Sequence, residues 1–404
     1  MSDTNLRLVR FCTHCVQSNQ RVSPSEVTKD SRTNVRHTLE IDDGVCDACK
    51  VVAKKDSIDW SAREAALMEL LDRFRDPSKP YDVLIPGSGG KDSVYQAHIL
   101  KTKYGMRPLT ITWAPHMYTD VGWENFQAWI TNGGLDNLLV TPDGSVHRKL
   151  TRLAFENLLH PFQPFVFGQR HQAARLAKRF GISLVFYGEH HAEYGAPKGE
   201  DESSVVLPKY LTGEVTSETR ISGVTIQALE QHGISRRDLD IYMPMSEAEY
   251  TASGIQTHFL GYFLRWDPQE IFYYAQKNTG FRPNDRRTEG TYSKYNSIDD
   301  KLDGFHYWCA FLKFGVGRCT HEASQEVRHG HVTRDEALAL VDLYDGELPE
   351  RYLPEVLQYM GLDRQEFFRI ADSFRAPHLW EKRADGWWLM HRAAGVAKRF
   401  DFLT

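Results

Sequence analysis

Residues 84–95 read Leu84-Ile85-Pro86-Gly87-Ser88-Gly89-Gly90-Lys91-Asp92-Ser93-Val94-Tyr95, and the reading of this stretch decides the fold. An apolar run that begins at Tyr81, after Pro80, ends at Ile85. The segment from Pro86 to Gly90 neither extends a strand nor opens a helix cheaply, so the chain turns there. Asp92 and Ser93 then occupy a first helical turn, and Val94, Ala97 and Leu100 supply its apolar side. A glycine loop feeding a helix N-terminus aims backbone N–H groups and the positive end of the helix dipole at one point. That point suits a phosphate. Lys91 adds a mobile cation, and Ser88 and Ser93 add hydroxyl donors. A surface turn would also be rich in small residues, but it would not need the flanking strand and helix.

Working outward, short β-rich runs at 108–113, 138–141, 182–187 and 255–266 alternate with helical patterns at 121–130 and 148–180. The second of these helical stretches is interrupted near Pro161 and Pro164. Strands that alternate with helices predict a doubly wound parallel sheet. Ligands in such sheets sit beyond the carboxyl ends of the strands. The loop at 87–93, the stretch 112–116 and Gly188-Glu189-His190-His191 are therefore expected to converge. Glu189 follows a strand directly and is a candidate for Mg²⁺ or substrate, against the plainer reading of a solvated carboxylate. Asp92 is the better Mg²⁺ candidate because the loop places it. His190 is a candidate substrate contact; with His191 it forms no H-x-x-x-H pair, so no second metal is expected there. The polar, glycine-spaced segment 195–219 is read as a mobile lid. Asp267-Pro268 gives an N-cap followed by proline at the first helical position.

At the N-terminus, Cys12-Thr13-His14-Cys15 and Cys46-Asp47-Ala48-Cys49 form two C-x-x-C pairs about thirty residues apart. Each pair places two thiolates on one knuckle, and two knuckles close a tetrahedron around Zn²⁺. So short a module has little core, so the metal would supply most of its folding free energy, on the order of 10 kcal/mol. Four ligands fill the shell, which makes the zinc structural. Unligated thiols, a redox pair or an iron–sulfur cluster are the other readings. Residues 51–76 then turn helical, and 76–80 link to the sheet. The predicted division is 1–58 as a zinc-ribbon-like module, 59–280 as the nucleotide domain and 281–404 as a substrate-binding, helical region.

The bulk properties are ordinary: 41% hydrophobic residues, 25% charged and a net charge of -5. That balance argues against a general nucleic-acid binder. No apolar run approaches the length of a membrane span, and the first residues lack a signal-peptide core, which predicts a cytoplasmic protein. Six cysteines in a reducing compartment favour ligands and buried thiols over disulfides.

No Walker pattern is present. Ser88-Gly89-Gly90-Lys91-Asp92-Ser93 instead resembles the PP-loop of the ATP-pyrophosphatase superfamily, whose members split ATP between the α- and β-phosphates. Further along, 281–318 is denser in polar groups than a plain core needs. The runs RRTEGTYSKYNSIDDKLDGFHYW (286–308), KFGVGRCTHEASQEVRHGHVTRDEA (313–337) and LYDGELP (343–349), with YGEHHAEYG (187–195) and the cysteine pairs, resemble the N-acetyl sugar amidotransferase family. That family serves bacterial surface-polysaccharide (lipopolysaccharide, O-antigen) and nonulosonic acid pathways, and the resemblance covers nearly the whole chain. The chain departs from it at 17–40, between the cysteine pairs, which is longer and more polar than the resemblance leads one to expect.

The resemblance implies conversion of an acetamido group to acetamidino through an adenylated intermediate, with ATP and Mg²⁺. It places Ser88, Gly89, Gly90, Lys91, Asp92 and Ser93 on ATP and pyrophosphate. Lys91, Asp92, Glu189 and Arg318 are the catalytic candidates. His190, Arg287, Glu289, Thr291, Tyr292, Lys294, Arg318 and Thr320 are the substrate-binding candidates, since sugar hydroxyls need fixed polar partners and an anionic carrier needs cations. Solvated ion pairs are the plainer reading of each one singly. Residue 2 is Ser, not Cys, and neither Cys309 nor Cys319 has the glycine neighbours of a nucleophile elbow. A separate glutaminase, resembling that of imidazole glycerol phosphate synthase, is therefore expected to supply ammonia. The alternative enzyme reading is a PP-loop tRNA-modifying, thiolating enzyme. A phosphoadenylyl-sulfate reductase is opposed by the lack of any cysteine after Cys319. A non-enzymatic zinc-ribbon scaffold would leave ATP intact. From 333 onward the sequence reads as helices capping the sheet.

Overall fold

The computed structural model describes residues 8–20, 39–195, 199–400 and 402. Asp43 and Gly44, with φ of 51° and 80°, supply the left-handed pair that a two-residue hairpin turn needs. They join β1 (Ile41–Asp42) to β2 (Val45–Cys46), and α1 (Asp47–Ala53) follows at once. The Asp59 side chain accepts from the Ala62 N–H to cap α2 (Trp60–Phe74). The departure at 17–40 lies, for 21–38, outside the described residues.

Next come β3 (Val83–Pro86), α3 (Lys91–Thr102), β4 (Pro108–Trp113), α4 (Asp120–Thr131), β5 (Asp136–Val140), α5 (Gly144–Leu158), α6 (Gln163–Arg179) and β6 (Leu184–Tyr187). A hairpin of β7 (Arg220–Ile221) and β8 (Val224–Thr225), with short α7 (Ile226–Leu229) and α8 (Glu247–Ala252), leads to β9 (Gln256–Phe259) and α9 (Pro268–Thr279). Five helices follow: α10 (Asp303–Phe314), α11 (Arg318–Arg328), α12 (Arg334–Tyr344), α13 (Leu353–Met360) and α14 (Arg364–Ser373). Strands β10 (Trp380–Arg383), β11 (Gly386–Leu389) and β12 (Lys398–Phe400) end the described chain.

The main sheet has five parallel strands in the order β5-β4-β3-β6-β9. The fold is thus the doubly wound α/β sheet expected from sequence, with a cysteine-bearing N-terminal module and a helical C-terminal region. Val83, Leu84 and Ile85 are wholly buried, as a central parallel strand covered on both faces must be. One face packs against α3, α4 and α9 around Trp129, Phe186 and Trp266. The other face packs Leu109 and Ile111 on the small side chains of α6, Ala173, Ala174 and Ala177. Strand order reverses at β3, so the loop after β3 opens at the switch point where such sheets bind ligands.

Four sequence expectations change. The run 255–266 is strand only to Phe259. The Gly261 N–H then bonds the Gly188 carbonyl at 2.8 Å, and a side chain at Gly261 would crowd the His190 backbone, so the chain curls rather than extends. The segment 195–219 is not a lid where it is described. Val206 and Ser204 exchange backbone bonds with Thr257 and Phe259, which covers the outer edge of β9. The C-terminal helices pack on α5 and α10 through Phe155, Phe305 and Phe367 more than on the sheet. Finally, the chain does not end in helices: β10, β11 and β12 form an antiparallel sheet.

Candidate functional site

The loop after β3 is shaped by close approach. A Cβ on Gly87 would fall 2.2 Å from the Ser93 Cβ, and one on Gly89, whose φ is 90°, would fall 2.8 Å from the Phe126 Cα. Gly90 differs: a Cβ there meets only the Ser88 hydroxyl at 3.5 Å. Gly90 is the N-cap of α3 with no side-chain cap, so the first N–H groups of that helix face the loop. Ser93 fixes the turn by donating to the Gly90 carbonyl at 2.9 Å. Lys91 is buried, and its Nζ bonds both Asp92 oxygens at 2.8 and 2.7 Å.

Residues 281–299 are strapped over this loop by α4. The Asn125 side chain bonds the backbone of Arg282 as donor and as acceptor, at 2.9 and 2.8 Å. Gly122 lets the Asp299 backbone come so near that a Cβ would sit 2.4 Å from its Cα. Beneath the strap lies a cavity of about 180 Å³ bounded by Ser88, Gly89, Gly90, Lys91 and Asp92 on one side and by Asp299, Asp303 and Arg318 on the other. A second cavity of about 290 Å³ carries Arg286, Arg287, Glu289, Lys301, Glu347 and Arg351. Ser297 and Ile298 belong to the walls of both.

Of the sequence candidates, the loop residues Ser88 to Asp92 and Arg318 meet at the smaller cavity, while Arg287 and Glu289 meet at the larger. Arg287 forks onto Glu347 at 2.6 and 2.7 Å. Arg318 bonds Glu322 through Nε and the Tyr307 hydroxyl through Nη1. Glu189 neighbours Lys91 and Asp92 of the loop. Burial first, then the neighbouring Asp92 charge, pushes its carboxyl up to about 7, against the pull of Lys91. The Tyr194 hydroxyl donates to it.

Other candidates are engaged elsewhere. The two ring nitrogens of His190 meet the Ser203 carbonyl and the Ala192 N–H. Thr291 donates to Glu322, Thr320 to Asp345, and Lys294 to the Asp285 carbonyl. The buried Tyr292 hydroxyl has no hydrogen-bond partner among the described residues. None of these five lines either cavity.

Asp299, Asp300 and Asp303 were not singled out from sequence, although 297–303 reads Ser-Ile-Asp-Asp-Lys-Leu-Asp. The Ser88 hydroxyl bonds Asp299. Asp300 accepts from His116 Nδ1 at 2.9 Å and from the backbone N–H groups of His116, Met117 and Leu302. Asp303 has no ion pair among the described residues but meets the Ser297 hydroxyl; burial pushes its carboxyl up to about 7, opposed by Arg318 and reinforced by Asp299.

The cysteine module fits a tetrahedral metal. All four sulfurs are buried and lie within 4.8 Å of one another, with Cys12–Cys49 and Cys15–Cys46 both at 3.8 Å. Zinc–sulfur bonds of about 2.3 Å at tetrahedral angles set sulfurs about 3.8 Å apart. Backbone N–H groups of His14, Cys15 and Cys46 point at the Cys12 sulfur, and that of Gln17 at the Cys15 sulfur, as thiolates require.

A doubly wound parallel sheet with this glycine loop at its switch point agrees with the PP-loop resemblance drawn from sequence. Residues 289–394 match the family described as LPS biosynthesis protein WbpG-like, C-terminal domain. That match agrees with the resemblance drawn from sequence. No curated protein matches the chain. Solved structures similar to it include the U34-tRNA thiolase NcsA from Methanococcus maripaludis, at 11% identity over 67% of this chain and 79% of that one, with a TM-score of 0.30. NMN synthetase from Francisella tularensis is similar at 12% identity over 56% and 96%, with a TM-score of 0.27. Likeness at that level bears on neither fold nor function. No helix among the described residues is long and apolar enough to cross a membrane.

Proposed function

We propose that this chain is an ATP-dependent amidotransferase of surface-polysaccharide biosynthesis that converts an acetamido group of a sugar or nucleotide sugar to acetamidino. The observation that carries the reading is the pair of cavities with a common wall: one built like a phosphate cradle, the other polar and rich in cations. A sugar held in the larger cavity presents its amide carbonyl through the 297–298 wall to a nucleotide held at the loop. The amide oxygen attacks the α-phosphorus, and pyrophosphate leaves into the loop N–H groups and Lys91. Ammonia then displaces AMP from the adenylated carbon. The strap over the loop excludes water, which would otherwise hydrolyse that intermediate.

Asp92, with Glu189 beside it, would hold Mg²⁺, which would neutralise phosphate charge. The four thiolates would hold a structural Zn²⁺. Three functional parts follow the sequence: metal module 1–58, nucleotide domain 59–280 and substrate region 281–404, in a protein that works in the cytoplasm.

Ammonia comes from a separate glutaminase. Burial pushes the Cys309 thiol up to about 12 and Cys319 higher still, so neither is an activated nucleophile. Ser2 lies outside the described residues. The test is mass spectrometry of nucleotide-linked acetamido sugars after reaction with ATP and ammonium. The product is expected about one dalton lighter, because NH replaces O. Activity is expected with ammonium and not with glutamine; equal activity with glutamine alone would remove the partner from the account. Intact ATP with every acetamido sugar would overturn the function.

A further inference from the structure

Forming the adenylated intermediate from a secondary amide requires a base. As the amide oxygen bonds to the α-phosphorus and the bond to pyrophosphate breaks, the C=O becomes C–O–P and the C–N becomes C=N. The N–H proton must leave. When ammonia adds, the same nitrogen needs a proton back before AMP departs, and ammonia's own surplus proton passes to water.

Three carboxylates line the loop cavity: Asp92, Asp299 and Asp303. Lys91 grips both oxygens of Asp92, and the Ser88 hydroxyl holds Asp299. Asp303 meets the Ser297 hydroxyl but has no ion pair among the described residues, and the nearby Arg318 is turned onto Glu322 and Tyr307. Its place in the fold is the second observation. Asp303 opens α10 and lines the loop cavity, whereas the next residue, Gly304, lines the larger one, as do Asp300 and Lys301 just before it. The chain at 303–304 therefore borders both cavities, as does the 297–298 wall through which the carbonyl reaches. Glu189 lines neither.

Resting on the function proposed above, we propose that Asp303 is the general base that takes the acetamido N–H proton as the amide oxygen attacks, and that it returns this proton to the same nitrogen when ammonia adds. The charged groups about it are Asp299 and Asp300 on its own segment, Arg318 from α11, and Lys91 with Asp92 across the cavity. Burial brings its carboxyl near neutrality, where a group that must both accept and donate a proton works best.

The test compares wild type, Asp303→Asn and Asp303→Glu for AMP release with ATP, ammonium and UDP-N-acetylglucosamine or other nucleotide-linked acetamido sugars, from about pH 5.5 to 9. Wild-type kcat is expected to fall on the acid side of about pH 7. Asp303→Asn is expected to lower kcat by about 10²-fold or more, leave KM for ATP unchanged and erase the acid limb; Asp303→Glu restores part of the rate. An Asn variant as fast as wild type, or a slow one that keeps the acid limb, would overturn the proposal while leaving the amidotransferase reading intact. A raised KM for ATP with kcat unchanged would make Asp303 a structural residue. A wild type silent with every acetamido sugar would overturn the reading and this proposal with it.

Discussion

Glu189 and Asp303 carry the same cost: each is a carboxyl whose pKa burial has pushed up to about 7. A raised folded pKa means that the protonated form is favoured, so the contribution is full below the unfolded pKa, near 4.5 for Glu189, and is lost as pH rises through about 7. Glu189→Gln is therefore expected to raise the thermal midpoint at pH 8 by about 2 °C or more, and to give no gain at about pH 4.5. A midpoint equal to wild type at both pH values would contradict the burial argument. Stability gained at the site is expected to come with lost turnover. At this scale the sequence was partly legible. SGGKDS named the loop, because strand, glycines and helix are local features. Polar density at 287–320 did not separate residues that face a cavity from those that face one another, so Thr291 and Thr320 read like Arg287. Nor does a run with carboxylates at 299, 300 and 303 say which of them faces the loop; only the turn into α10 decides that.

The loop and the helix it feeds behave as one element. Gly89 cannot carry a side chain without moving the α4 backbone, whereas Gly90 has room for one. Gly89→Ala is expected to destabilise the protein by about 2 kcal/mol or more, through strain and collision. Gly90→Ala is expected to leave the thermal midpoint within about 1 °C of wild type yet to weaken ATP binding, since its methyl group would intrude where phosphate must approach N–H groups. Equal loss of stability in both variants, measured by thermal unfolding, would contradict the geometry. Elements of the central sheet were legible because buried parallel strands are apolar runs. The C-terminal β-sheet was missed although its signal is present. Asp385-Gly386 is a turn dipeptide set between Trp380 and the pair Trp387-Trp388, and strong helical periodicity just upstream masked it. β9 was overdrawn because the sequence of 255–266 does not reveal that Gly261 must touch the β6 loop.

At the scale of the whole molecule, the cysteine module is tied to the site. Arg334 at the start of α12 donates to the Cys12 and Cys15 carbonyls. Lys55, just after α1, forms a buried ion pair with Glu193 at 2.7 Å and donates to the Trp266 carbonyl at 2.8 Å. Glu193 neighbours Tyr194, whose hydroxyl holds Glu189. If the four thiolates hold a metal, chelating it is therefore expected to raise hydrogen exchange not only at 8–20 and 39–53 but also at 191–194 and along α11. Exchange that rises in the cysteine module alone would show that the module hangs free of the site. None of this wiring was visible in sequence, where the cysteine pairs and the strand end at 189 lie far apart.

The proposed reaction turns on an amide oxygen becoming bonded to the α-phosphorus of ATP at the Ser88–Ser93 loop. The direct measurement uses an acetamido nucleotide sugar labelled with oxygen-18 in its acetyl carbonyl, with ATP and ammonium. The label is expected in AMP, with pyrophosphate as the other product, and Lys91→Ala is expected to form little of either. Unlabelled AMP, ADP with phosphate, or a Lys91→Ala variant at full speed would contradict it.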